Sequence, residues 1–234
     1  MATVILARHG RTTANAEGVL AGRTDVGLDE TGRGQAERLA DRLRPVPLVA
    51  VVSSPLTRCR QTQAAVLEAQ TGAPADVVEE AITEQDYGDW QGRKLADLAK
   101  DELWPRVQRE PSQVTFPGGE SFAAMQSRAV AAIRRHDAAV ETAHGARATW
   151  VAVSHGDVIK AILADAFGMP LDAFQRIHVG PASLSIVRYT DERPEVLATN
   201  TEAGDLSWLR PEEKEVEAQV GGGAGHEPAV TSGP

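Results

Sequence analysis

The feature that most constrains this chain is a set of three short apolar runs, each breaking off abruptly into polar residues: TVILA at residues 3–7, LVAVVSSP at 48–55 and ATWVAVSHG at 148–156. They are rich in β-branched residues and carry no helical period, the pattern of strands covered on both faces. Each is followed by a helical stretch. After the first, Asp29 to Thr31 offer N-caps, and Ala36, Leu39, Ala40 and Leu43 recur at three- and four-residue intervals up to Pro45. After the second, a helix is expected from Pro55, with Ser54 as its cap and the proline in the first helical position. After the last, DVIKAILADAFG reads as a helix with a glycine stop. DVVEEAI supplies a further strand, and ASLSIVRYT with EVLATN alternates as a terminal hairpin. GRKLADLAKDELW and SFAAMQSRAVAAIRRHDAAVETA read as two helices separated by the turn-rich EPSQVTFPGG, a helical insertion at about 85–146. The sum is an α/β chain with a mainly parallel sheet and helices on both faces.

At 234 residues the chain is long enough for one substantial core, expected over residues 1–210. A composition of 42% hydrophobic and 24% charged residues excludes collagen-like, disordered and membrane-spanning classes for most of it. The single cysteine, Cys59, rules out an internal disulfide framework. The N-terminal MATVILARHG has neither the basic region of a signal peptide nor the length of a membrane anchor, so a soluble, cytoplasmic protein is expected. A net charge of −9 argues against a general nucleic-acid binder. Residues 211–234 differ in kind: five glutamates against Lys214, then GGGAGHEPAVTSGP, which reads as an acidic and then glycine-rich disordered tail.

Ligands of open α/β sheets bind beyond the carboxyl ends of the strands. Arg8 and His9 close the first strand, Arg58 lies just inside the helix after the second, and His155 closes the late strand. Two histidines and two arginines are thereby expected in one pocket. The set suits phosphate: a neutral imidazole attacks phosphorus, while guanidinium groups bind the equatorial oxygens. No metal or other cofactor is expected, because the remaining histidines, His136, His144, His178 and His226, are dispersed without ligand spacing. There is no P-loop either.

LARHGRTTAN at residues 6–15 resembles the RHG signature of the histidine phosphatase superfamily, the phosphoglycerate-mutase-like proteins. The resemblance continues in order through AGRTDVGLDETGRGQA, VVSSPLTRCRQT, ITEQDYGDWQG, FPGGES and VAVSHG. It implies a three-layer α/β/α sandwich in which His9 is the phosphorylated nucleophile. Arg8, Arg58 and His155 would complete the phosphate pocket, Asn15 would add a polar contact, and Glu84 would be the proton donor. A homodimer is an open expectation, since relatives of that family dimerise.

Other residues keep two readings. Arg11 and Arg23 either widen the anion site or stand as ordinary surface residues; Thr12 and Gly156 either donate to phosphate or shape turns. Cys59 reads as a small buried hydrophobe rather than a nucleophile. The PGGES loop covers the pocket mouth, caps the following helix through Ser121, or does both.

Three functions follow: a metal-independent phosphatase of small phosphomonoesters, a phosphomutase of the phosphoglycerate mutase type, or a catalytically silent phosphate-binding module. The retained set Arg8, His9, Arg58, Glu84 and His155 disfavours the silent module. Family mutases resemble one another in a longer insertion with a paired-arginine segment. The only adjacent pair in the corresponding interval, Arg134–Arg135, falls late in a helix, so the phosphatase is favoured.

Overall fold

The computed structural model describes residues 2–203; the expected tail at 211–234 lies outside the described residues. Six strands form one sheet in the order β3-β2-β4-β1-β5-β6. These are β1 (Thr3–Arg8), β2 (Leu48–Ser53), β3 (Ala75–Val78), β4 (Thr149–Ser154), β5 (Leu184–Tyr189) and β6 (Pro194–Thr201). β3, β2, β4 and β1 run parallel, while β5 returns antiparallel to β1 and pairs in turn with β6. The sheet is thus mainly parallel, closed on one side by the expected hairpin.

Alternation along the strands sorts two cores. Val4, Leu6, Val52, Trp150 and Ala152 face one layer, while Ile5, Ala7, Val51, Val151 and Val153 face the other. The second face is covered by α2 (Glu30–Leu43) and α3 (Thr57–Ala69), which bury Leu39, Ala40, Leu43, Cys59 and Val66 against it. The first face carries α6 (Phe122–His144) and α7 (Gly156–Ala166). Between β3 and β4 the helical insertion adds an aromatic cluster, with Phe116 edge-on to Tyr87, Trp90 and Phe122 at 5.1–5.2 Å between centroids. Helices on both faces of one sheet make the three-layer α/β/α sandwich.

The caps largely follow the sequence. Asp29 accepts from the Gly32 amide at 2.7 Å and Ser121 from that of Ala124 at 3.1 Å. Three local expectations need correction. Helix α3 starts at Thr57 with Leu56 as its uncapped N-cap, because Asp25 reaches across to take the Thr57 amide and hydroxyl at 2.7 and 2.8 Å. Ser54 Oγ accepts from the amide of Leu56 at 3.4 Å instead of from inside the helix, and Pro55 precedes the helix. The expected strand at 76–82 begins at Ala75 and ends at Val78. Glu79 then turns the chain into a 3-10 turn by accepting from the Ala81 amide. The first insertion helix, expected at 92–104, is shortened to α4 (Leu95–Leu98), and an unexpected helix α5 (Trp104–Arg109) starts at its end with Pro105 in the first turn, where a proline is tolerated. The short α1 (Thr13–Ala16) after β1 was not expected. No helix among the described residues is long and apolar enough to cross a membrane.

Candidate active site

The order β2-β4-β1 places three strand ends side by side, so Ser54, His155 and His9 emerge at one edge of the sheet. Gly10 lets the chain turn there: a Cβ on it would lie 2.3 Å from the Gly32 carbonyl oxygen, so β1 and the start of α2 meet backbone to backbone. His9 is 3% exposed. Its Nδ1 lies 2.7 Å from the Gly10 carbonyl, and a carbonyl only accepts, so the proton sits on Nδ1 and the Nε2 lone pair is left available. Burial, reinforced by Arg58 and Arg8, holds this imidazole well below its usual pKa and therefore neutral at pH 7.

His155 stands 5.2 Å from His9 between ring centroids, edge to face. The Nε of Arg58 donates to His155 Nδ1 at 3.3 Å, which leaves His155 Nε2 to donate to Ser54 Oγ at 2.8 Å. Arg58 is almost completely buried and also donates to the Thr24 and Gly22 carbonyls at 2.9 and 2.7 Å, pinning the loop that carries Arg23. Gly22 itself has φ +54 and would collide with Gln91 through a Cβ, so this close seat requires glycine. Arg8, also buried, donates to the Val179 carbonyl at 2.9 Å. Desolvation lowers its pKa to about 10, still cationic at neutral pH.

Glu84 Oε2 lies 4.0 Å from His155 Nδ1, and Glu84 Oε1 accepts from the Gln85 amide at 3.0 Å. Burial, reinforced by Asp157, pushes its carboxyl up to about 7 against the opposing pull of Arg58 and Arg8. The pocket thus holds a neutral imidazole, two guanidinium groups and a carboxyl poised to gain or lose a proton near neutrality. Cys59 touches the same cluster, with Sγ 3.5 Å from His155 Nε2. Burial pushes its thiol up to about 12, which keeps it protonated and a poor nucleophile.

The other expected residues sit around this centre in different ways. Thr12 caps α1, accepting from the Asn15 amide at 3.2 Å, while Asn15 Oδ1 accepts from the Thr12 amide and hydroxyl at 3.1 and 2.9 Å. Arg11 turns toward α2, donating to Asp29 at 2.9 Å and Thr31 at 2.8 Å. Arg23 donates to the Glu84 carbonyl at 3.2 Å and to Glu120 at 3.0 Å. Gly156 is the first residue of α7 and is buried. Residues not assigned to the pocket from sequence also converge here. Asp157 accepts from the Tyr87 hydroxyl at 2.7 Å and from Lys160 at 3.2 Å, while Ser54, Glu120 and Arg128 bond to site residues. Only the positions of Ser54 and Asp157 beside strand ends, and of Glu120 in the PGGES loop, carried a signal in the sequence. Among the described residues, no group of three His, Cys, Asp or Glu side chains is arranged to hold a metal ion.

A profile of the histidine phosphatase superfamily, branch 1, matches residues 4–202. The chain belongs to this superfamily. Among relatives of the chain, phosphoserine phosphatase 1 of Hydrogenobacter thermophilus is 31% identical over 203 residues, 86% of this chain and 92% of that protein. A probable phosphoglycerate mutase of Salmonella choleraesuis is 29% identical over 213 residues, 89% and 95% of the two chains. A solved mycobacterial glucosyl-3-phosphoglycerate phosphatase in complex with VO3 superposes with a TM-score of 0.77 at 25% identity, covering 86% of this chain and 99% of that one. The chain spans about half the length of other curated relatives that it matches, mycobacterial proteins 35% identical to it over 191 residues.

Proposed function

We propose that this histidine phosphatase superfamily member hydrolyses small phosphomonoesters through a phosphohistidine formed on His9, without a metal ion. The observation that carries the reading is the pairing of a neutral imidazole, its Nδ1 fixed on the Gly10 carbonyl, with the buried Glu84 carboxyl. In the first step His9 Nε2 attacks phosphorus, the bond from phosphorus to the ester oxygen breaks, and Glu84 gives its proton to the departing alkoxide. Arg8 and Arg58, with His155, stabilise the charge on the equatorial oxygens. In the second step the Glu84 carboxylate takes a proton from water as the water oxygen bonds to phosphorus. The His9–phosphorus bond then breaks, which restores both groups. Asn15, Thr12, Arg23 and the Gly156 amide are proposed as a second tier that would meet the rest of the substrate, whereas Arg11 is held away on Asp29 and Thr31. The catalytic domain is proposed to occupy residues 1–210.

A phosphomutase would share the phosphohistidine and differ in sending the phosphoryl group to a second hydroxyl. The one adjacent arginine pair between Glu84 and His155 is engaged away from the pocket residues: Arg134 donates to Asp165 at 2.7 Å and Arg135 to Glu79 at 2.6 Å. This favours water as the acceptor. The test is a screen of phosphorylated metabolites that measures both released phosphate and isomerised product, with isotopic phosphate captured on the enzyme. Acid-labile, base-stable label on His9, lost in His9→Ala, together with phosphate release that persists in EDTA, is the expected result. Label on another residue, or isomerised product without phosphate release, overturns the proposal.

A further inference from the structure

The Glu84 carboxyl receives one hydrogen bond among the described residues, from the amide of its own neighbour Gln85. Its position is therefore set by the main chain, and that main chain is held from outside. Arg128, on α6, donates through Nη1 to the Ala81 and Thr83 carbonyls, both at 2.7 Å, and through Nη2 to the Glu84 carbonyl at 3.1 Å. Arg23 donates to the same Glu84 carbonyl from the opposite side in sequence. Glu120 ties the two arginines together. Its Oε1 accepts from Arg128 at 2.5 Å, from Arg23 at 3.0 Å and from the Asp86 amide at 3.0 Å, and its Oε2 accepts a second bond from Arg128 at 3.0 Å. Gln85 completes the seat by donating to the Glu120 carbonyl at 2.9 Å.

Such charge-assisted, bidentate contacts are the strong and geometrically specific class of hydrogen bond. They fall on the carbonyls of Ala81, Thr83 and Glu84 and on the Asp86 amide, the main chain on both sides of the Glu84 side chain. A proton donor must come within about 2.6–3.2 Å of the leaving oxygen, and a misplacement of about 1 Å costs up to roughly 10²-fold. We infer that Arg128 and Glu120 are positioning residues for the proton-transfer step, holding the Glu84 segment so that its carboxyl meets the leaving oxygen. The inference rests on the reading of Glu84 as proton donor.

The experiment compares the rate of the phosphoenzyme burst for an alkyl phosphate, whose alkoxide needs the proton, and a nitrophenyl phosphate, whose phenolate leaves without it. Wild type, Glu84→Gln, Arg128→Met, Glu120→Gln and the double variant Glu84→Gln with Arg128→Met are measured. Arg128→Met should slow the alkyl burst on the order of 10- to 10²-fold while changing the aryl burst by less than about twofold. In the Glu84→Gln background it should add almost nothing for the alkyl substrate, because the group it positions is already gone. Equal loss for both substrates, or full additivity in the double variant, would show that Arg128 only supports the fold and would overturn the inference. If Glu84→Gln itself treats the two substrates alike, the acid assignment falls and the inference falls with it, a result distinct from the first. Should Arg128→Met fail to fold, Glu120→Gln decides. It keeps the shape of the bridge, and the expected result is a selective alkyl loss of about three- to tenfold; no selectivity overturns the inference.

Discussion

Replacing Glu84 by glutamine should stabilise the protein, and the gain should depend on pH in a way that isolates the buried carboxyl. The ordinary pKa of 4.5 is raised to about 7 in the folded state, chiefly by burial. Between these values the folded protein holds a proton that the unfolded chain has released, so the contribution of Glu84 to stability falls as pH rises through this window. At about 1.4 kcal/mol per factor of ten, the carboxyl costs about 3 kcal/mol once both states are ionised. Glutamine keeps the shape and the acceptor for the Gln85 amide but never ionises. The variant should therefore match wild type near pH 4, gain steadily from 4.5 to 7, and level off above pH 7 at about 3 kcal/mol, or roughly 6–12 °C in Tm for a chain of this size. Urea unfolding of both proteins at half-unit pH intervals measures the difference, and titrating groups remote from Glu84 cancel in it. A difference independent of pH, or a variant less stable at pH 8, would refute the claim that Glu84 is stored at a cost as a proton donor.

The same carboxyl should give kcat/KM for alkyl phosphates an alkaline limb near pH 7, falling about tenfold per pH unit above it, while an aryl phosphate lacks that limb; coincident profiles would contradict the assignment. Gly32→Ala should destabilise the fold by roughly 3 kcal/mol, since its Cβ would sit 1.9 Å from the Arg11 carbonyl oxygen, a backbone atom that cannot swing aside. Chemical denaturation measures the loss, and a change below about 1 kcal/mol would show that the loop and α2 separate freely. Deleting residues 221–234 should leave Tm and turnover unchanged, because GGGAGHEPAVTSGP offers almost no apolar surface to offset its ordering. A drop in either quantity on truncation would show that the segment binds the domain.

Much of the fold is legible because its causes are local. Apolar runs with no helical period announce doubly covered strands. Asp29 and Ser121 announce helix starts, and the abrupt change to Arg8–His9 or Ser154–His155 marks where a strand surrenders its chain to the pocket. At the start of α3 the local rule failed because a distant side chain intervened: Asp25 takes the Thr57 amide and hydroxyl. The sequence by itself determined the α/β class, the strand ends and the chemical types that stand on them. Only the tertiary structure decided that β4 lies between β2 and β1, which joins His155 to Ser54, Arg58 and the neighbourhood of His9. It also decided that Arg11 turns to Asp29 while Arg128 and Glu120 grip the Glu84 segment. The physical reason is reach: strand and helix patterns record burial among near neighbours. A guanidinium on a long side chain bonds wherever the packed layers bring a carbonyl or carboxylate, leaving no period in the sequence.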